Sequence, residues 1–289
     1  MIAGYGLDCD AFKSPTLKKN AHKMSRAVNL AIVSIKMRLA TAQSILVRIL
    51  FLLLWIPLIE TPLLAGPTPW YSRYEPIQDP RAEKFVAEAL SAAIDFLGEP
   101  AVPVRKIYLR SSIPLDPQAG LKSKFVLTEQ VDASEGVFAI YLSRAPEEYA
   151  FYGQLAHEVA HLLNARLYDC YVEGLNTVFA ERFLKTRHSD WTGWDEYLRN
   201  GSDRFYGSTY LMMRELVDAI GEGALKHFLS FARWTDKKET RMHIDIDAWL
   251  SSIPVGLRDR AQKVIFRHAK SVRAASARLN PPYTFKLPE

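Results

Sequence analysis

The sequence predicts an α+β fold, in which a small antiparallel or mixed sheet is followed by a mainly helical region. Three short runs rich in β-branched and aromatic residues lie between positions 102 and 144, and turn-rich stretches separate them. Before these runs, one segment bounded by prolines has apolar residues at helical spacing. After them, helical spacing dominates to about residue 277.

The individual elements can be placed along the chain. The first helix is expected over Pro80 to Pro100, where PRAEKFVAEALSAAIDFLGEP is amphipathic and has a proline at each end. The strands are expected over 102–111, 124–131 and 136–144. A second helix is expected over Pro146 to Asn164, with Pro146 at its first position and two acids in its first turn.

This second helix carries the string HEVAH, which contains His157, Glu158 and His161. Because one helical turn advances 3.6 residues, histidines four apart project from the same face and can place two imidazole nitrogens on one metal ion. Glu158 lies next to that face and can reach a water on the metal. Two neutral imidazoles and a carboxylate base are parts of a zinc hydrolase that attacks carbonyl groups. The sequence therefore predicts a Zn²⁺ site on this helix.

A third protein ligand is required, because catalytic zinc usually keeps three protein ligands and one open position. Metzincins place a glycine and a third histidine at fixed offsets after the motif, but LLNARL follows His161 here, so this class is excluded. Further on, DCYVEGLNTVFAERFLKTR offers two acids on another predicted helix, Glu173 and Glu181. Glu181 also fits a solvated acid on a helix face, near Arg182 and Lys185.

HEVAH followed by YVEGLNTVFAERF resembles the gluzincin metallopeptidases, in particular their short members, the minigluzincins. In these proteins a Glu-Gly pair preceded by an aromatic residue follows the motif, and its glutamate is the third zinc ligand. The resemblance implies a zincin-like fold, with His157, His161 and Glu173 as ligands and Glu158 as general base. Glu181 lies at a thermolysin-like distance from the second histidine but lacks the Asn-Glu context of that group, which makes it the competing candidate.

Two further features of the resemblance concern the substrate. Gluzincins of this kind place a tyrosine at the start of a later helix, where its hydroxyl can bind the oxyanion. RFYGSTYLMMREL matches this start with Tyr206, and Tyr210 is a second candidate one turn on. Gluzincins also pair an extended peptide with an edge strand, for which Gly136 to Arg144 is the candidate by position. An ordinary inner strand is the alternative, since VFAIYL is apolar throughout.

Positive charge is concentrated at the start of the chain. Residues 1–65 hold eight Lys and Arg against three Asp and Glu, which leaves 29 of each sign in the remainder. A nucleic-acid partner would require a basic face on the folded part. The neutral balance there gives no reason to expect one.

Residues 1–65 are expected to be a signal peptide or a membrane anchor with a basic lead. The apolar run from Ile49 to Ile59 has the length of a signal core, since a full span needs about 20 residues. Residues 45–64 form a marginal span, so membrane association through an uncleaved anchor is the alternative. The body of the protein is accordingly expected to be exported, periplasmic or secreted, or anchored outside the cytoplasm.

The expected organisation is a targeting segment at 1–65, a linker at 66–80, a zincin-like catalytic domain at 81–277 and a tail at 278–289. The expected function is zinc-dependent hydrolysis of peptide bonds in a peptide or protein substrate. Two alternatives are an idle gluzincin-fold binding or scaffold protein of the cell envelope, and a zinc hydrolase of a non-peptide bond. Cys170 is expected to pack as an apolar residue rather than bind metal.

Overall fold

The computed structural model describes residues 70–116, 121–122, 126–200, 204–235 and 240–289. The predicted targeting segment 1–65, with its candidate span 45–64, lies outside these residues. Residues 71–289 belong to one compact unit. No helix in the described part of the chain combines the length and the apolar composition that crossing a bilayer requires.

The predicted α+β fold is confirmed, since a small sheet precedes most of the helices. The strands are β1 (Tyr74–Pro76), β2 (Lys106–Ser112), β3 (Pro114–Asp116), β4 (Leu121–Lys122), β5 (Leu127–Asp132), β6 (Val137–Leu142), β7 (Ala232–Trp234) and β8 (Met242–Ile244). The helices are α1 (Pro80–Leu97), α2 (Phe151–His161), α3 (Cys170–Thr186), α4 (Thr192–Asn200), α5 (Arg204–Ile220), α6 (Ile246–Ser252) and α7 (Val255–Ser276).

Four strands form a mixed sheet in the order β1-β2-β6-β5. β2 and β6 are parallel, whereas β1 and β5 run antiparallel to their neighbours. β6 is therefore an inner strand, so the inner-strand alternative is confirmed for residues 136–144 and their assignment as the edge strand is wrong. Phe138 to Leu142 are all buried, so both faces of the strand are covered and VFAIYL needs no polar alternation. The edge on this side of the sheet is β5.

The sheet begins inside the segment predicted to be a linker, residues 66–80. Tyr74 is buried and packs edge-on against Tyr141, with ring centroids 5.1 Å apart. The amide of Ile77 donates to the carbonyl of Leu109 at 2.9 Å. The linker prediction is therefore wrong from Tyr74 onward. A strand of three residues next to prolines leaves almost no alternating pattern from which it could be predicted.

The HEVAH helix is shorter than the sequence predicts, because α2 begins at Phe151 rather than at Pro146. Residues 146–150 form turns, in which the amide of Phe151 donates to the carbonyl of Glu148 at 3.0 Å. Tyr149 lies in these turns, where it is 55% exposed and its hydroxyl donates to the carbonyl of Asp190. The apolar spacing of this stretch thus extended beyond the true start of the helix.

The predicted tail, residues 278–289, is in fact packed onto the domain. Thr284 pairs its main chain with the stretch before α3, donating to the Tyr168 carbonyl at 3.1 Å and accepting from the Cys170 amide at 2.9 Å. The hydroxyl of Tyr171 donates to the carbonyl of Lys286 at 2.7 Å. Cys170 itself is fully buried, as expected for a packing residue. Proline-rich composition suggested a tail, but main-chain pairing and aromatic packing hold these residues in place.

Close packing of α3 against α5 brings the helix that carries Glu173 next to the helix that carries Tyr206. A Cβ at Gly174 would lie 2.2 Å from the main-chain oxygen of Thr209, so only glycine allows this approach. Gly174 follows Glu173, and Thr209 lies one turn after Tyr206 on α5. The glycine of the Glu-Gly pair therefore has a packing reason that is independent of any chemistry.

Candidate metal centre

Three side chains from two helices converge on one point. His157 and His161 project from the last turn of α2, and Glu173 projects from the first turn of α3. The two Nε2 atoms lie 3.2 Å apart. The carboxylate of Glu173 lies 3.3 Å from Nε2 of His157 and 3.5 Å from Nε2 of His161. All three side chains are buried or nearly so, with at most 11% of the side chain exposed.

This triangle fits a four-coordinate metal ion. Bonds of about 2.0–2.1 Å in tetrahedral geometry place neighbouring ligand atoms about 3.3 Å apart, which matches the three spacings. Two imidazole nitrogens and one carboxylate oxygen are also donors that zinc accepts. Within the described residues, Oε2 of Glu173 is buried and has no hydrogen-bond partner. A cation would satisfy that oxygen.

Electrostatics within the triangle favour a positive charge at its centre. Burial alone would raise the pKa of Glu173, but the facing imidazoles of His161 and His157 outweigh it and hold the pKa at about 2. Burial would lower the pKa of His161, whereas the Glu173 carboxylate raises it to about 9. Glu173 is therefore ionised, and it attracts either a proton or a cation to the imidazoles.

Thr177 orients the first histidine. Its hydroxyl donates to the carbonyl of Glu173 at 2.9 Å, which leaves the oxygen free to accept from Nδ1 of His157 at 3.1 Å. Since a threonine hydroxyl has one proton, Nδ1 carries the imidazole proton in this arrangement. The lone pair of Nε2 then points toward the other two ligand atoms, as metal binding requires.

Glu158 lies beside the triangle and is anchored to the sheet. One carboxylate oxygen of Glu158 and one ring nitrogen of each histidine all lie within 4.8 Å of one another. The hydroxyl of Thr128 on β5 lies 2.9 Å from Oε2 of Glu158 and 2.7 Å from the Glu158 main-chain oxygen. Burial raises the pKa of the Glu158 carboxyl, although both imidazoles oppose the shift. A raised pKa makes this carboxylate a stronger proton acceptor.

A cavity of about 550 Å³ opens onto these groups. Residues 126–130, which include most of β5, line it together with Glu158, His161 and Glu173. Tyr206 from α5 also lines this cavity, and its ring centroid lies 5.8 Å from that of His157. A ligand in the cavity can therefore contact a strand edge, the candidate base and the candidate metal site at once.

The structure does not bring Glu181 to the histidines. Glu181 lies two turns beyond Glu173 on α3, where its carboxylate accepts from Nζ of Lys185 at 2.6 Å. It also accepts from the hydroxyl of Tyr210 at 3.0 Å, and Arg214 lies 3.8 Å away. The candidate oxyanion donor Tyr210 is thus engaged with Glu181 and does not line the cavity. Both residues join helices to one another.

Sequence reasoning missed three residues of the site, namely Thr128, Thr177 and Tyr283. Thr177 follows Glu173 by four residues, so helical spacing places both on the same face of the helix. That spacing could have identified Thr177 from the sequence. Thr128 lies in a strand whose edge position was not recognised. Tyr283 lies in the presumed tail and lines the cavity although more than 100 residues separate it from Glu173. Nothing in its local sequence indicates this position.

Comparisons of the chain with protein-family models, with curated proteins and with solved structures found no match. A functional assignment therefore depends on the motif and on the geometry of this site.

Proposed function

We propose that the protein is a zinc-dependent peptidase of the gluzincin type, with a zincin-like catalytic domain. The observation that carries the proposal is the triangle of His157, His161 and Glu173, whose donor atoms are 3.2 to 3.5 Å apart beside an open cavity. Three protein ligands with a fourth position facing a cavity are typical of catalytic rather than structural zinc sites.

The side chains around the triangle have the roles that hydrolysis requires. A zinc ion held there would polarise the substrate carbonyl and lower the pKa of a water molecule. Glu158, held by Thr128, accepts the proton of the attacking water and passes it to the leaving amine. Tyr206 donates a hydrogen bond to the carbonyl oxygen as negative charge develops on it.

The strand edge supports a peptide as substrate. β5 is the last strand of the sheet, and residues 126–130 line the cavity, so an extended chain there can pair with the main chain of β5. Such pairing recognises any extended peptide without regard to its sequence. Export or anchoring through residues 1–65 is the setting that we propose for this activity.

Glu158→Gln tests the proposal directly. The variant should keep stoichiometric zinc, because Glu158 is not one of the three ligands, and should lose activity by about 10²- to 10⁴-fold, because the proton acceptor is removed. Zinc content is measured by elemental analysis, and activity by digestion of a peptide library and of an unfolded protein. Glu181→Gln is the matched control, since it also neutralises a buried carboxylate of the domain but leaves the cavity intact.

Different outcomes would select among the functions. Full activity in Glu158→Gln would exclude this mechanism. Stoichiometric zinc without cleavage of any peptide by the wild type would favour a binding or scaffold protein, or hydrolysis of a non-peptide bond. Loss of zinc in Glu173→Gln but not in Glu181→Gln is expected, and the reverse would make Glu181 the third ligand.

A further inference from the structure

The C-terminal segment, residues 281–287, delivers a tyrosine to the candidate active site. Tyr283 lines the same cavity as Glu158, His161 and Glu173, and it is 8% exposed. Its own carbonyl accepts from the hydroxyl of Ser276 at 2.9 Å, at the end of α7. The segment is therefore fixed on both sides of Tyr283, because the Pro281 carbonyl before it accepts from the hydroxyl of Tyr168 at 2.9 Å and Thr284 after it pairs with the stretch before α3.

Aromatic packing fixes the ring of Tyr283. It stacks on Tyr168, with centroids 3.7 Å apart and planes inclined by 17°. Phe205 covers it at 4.7 Å, next to Tyr206 on α5. A ring held in this way loses little further entropy when its hydroxyl meets a ligand.

The hydroxyl of Tyr283 differs from those of its neighbours. Tyr168 and Tyr171 each donate to a carbonyl of the C-terminal segment, at 2.9 and 2.7 Å. No described residue hydrogen-bonds to the hydroxyl of Tyr283, and that hydroxyl is not among the fully enclosed polar atoms of the described residues that lack a partner, so it is accessible from the cavity that Tyr283 lines. A tyrosine hydroxyl is protonated at neutral pH, so the group can donate a hydrogen bond. It is thus a donor without a protein partner in the cavity of the site.

We propose that the Tyr283 hydroxyl donates a hydrogen bond to a main-chain carbonyl of the peptide that occupies this cavity. The inference rests on the proposed function and assigns Tyr283 to substrate binding, with the oxyanion left to Tyr206. Since β5 and Tyr283 line one cavity, a peptide paired with the strand edge also meets the phenol. The C-terminal segment is therefore part of the substrate site rather than a tail.

Tyr283→Phe separates the hydroxyl from the packing, because phenylalanine keeps the stack on Tyr168. For a peptide that the wild type cleaves, KM should rise by about 3- to 10-fold with kcat nearly unchanged, since the bond is present in both the ground state and the transition state. Tyr206→Phe should instead lower kcat. Zinc content and melting temperature of Tyr283→Phe should equal those of the wild type.

Tyr171→Phe is the matched control, since it removes a tyrosine hydroxyl that holds the same segment outside the cavity. Its KM should remain within about 2-fold of the wild-type value. Equal increases of KM in Tyr171→Phe and Tyr283→Phe would overturn the inference, because the effect would then come from loosening of the segment. Unchanged KM in Tyr283→Phe would overturn it as well.

A binding measurement keeps the inference separate from the proposed activity. A tripeptide hydroxamate carries a metal-binding group and a peptide main chain, whereas acetohydroxamate carries only the former. With zinc-loaded protein, Tyr283→Phe should lower the affinity for the tripeptide hydroxamate by about 3- to 10-fold. Its affinity for acetohydroxamate should equal that of the wild type. Equal affinities of wild type and variant for the tripeptide would refute the role of Tyr283 even if hydrolysis is found. The expected difference without any hydrolysis would refute the peptidase but support the peptide contact.

Discussion

At the scale of single residues, two threonine hydroxyls determine how the candidate site is arranged. Thr177 fixes the proton on Nδ1 of His157, and Thr128 holds the carboxyl of Glu158 against β5. Neither residue binds the metal or attacks a substrate. Partners of this kind orient the ligands and commonly change metal affinity by 10- to 100-fold when they are removed, as a rough range.

Thr177→Val should accordingly weaken zinc binding by about 10- to 100-fold, because valine keeps the shape but offers no oxygen to Nδ1 of His157. The dissociation constant is measured by competition with a chromogenic chelator. Thr209→Val is the control, since Thr209 is also a buried threonine that bonds a carbonyl of its own helix, here that of Phe205, without touching a histidine. Equal zinc affinity in wild type and Thr177→Val would show that the hydroxyl does not orient the ligand.

At the scale of elements, α3 carries two buried glutamates with different roles, and the sequence of the helix does not show which glutamate has which role. Its first turn presents Glu173 to the histidines of α2, and its third turn presents Glu181 to Tyr210 on α5. Both glutamates are buried, but Glu181 accepts from Lys185 and Tyr210 whereas Glu173 faces the two imidazoles. Helical spacing alone left them as rival ligands. The position of α2, which only the packed structure defines, decides that Glu173 faces the imidazoles.

Glu181→Gln should lower the free energy of unfolding by about 1–3 kcal/mol, because the charge-assisted bond from Lys185 and the attraction of Arg214 are lost. Zinc content should not change. Chemical denaturation measures the first quantity and elemental analysis the second. If Glu181→Gln has the stability of the wild type, the ion pairs of Glu181 with Lys185 and Arg214 contribute nothing measurable to the free energy of unfolding.

At the scale of the whole molecule, the candidate metal site joins α2 to α3, and the cavity beside it joins these helices to β5, α5 and the C-terminal segment. A metal that binds the folded protein and not the unfolded chain stabilises the fold by mass action. Metal binding at the proposed site would therefore be linked to global stability, although a zinc ion there would contact little of the core.

Removal of zinc by a chelator should lower the melting temperature. With free zinc 100-fold above its dissociation constant the linkage is worth about 2.7 kcal/mol. For a domain of this size that corresponds to roughly 5–10 °C. The comparison is made by calorimetry with and without chelator, and His161→Ala, which lacks a ligand, should show no chelator effect. Equal melting of the wild type under both conditions would contradict the proposed site.

The sequence by itself determined the α+β order of elements, the approximate strands and first helix, and the two-histidine face with Glu158 beside it. These follow from periodicity, since helical and strand spacing connect residues within a few positions of one another. The resemblance added Glu173 and Tyr206. Only the tertiary structure decided that β5 rather than β6 is the edge, that Glu181 joins helices, and that Tyr283 enters the cavity. Each of these depends on contacts between residues far apart in the chain, and packing decides such contacts while local patterns carry no trace of them.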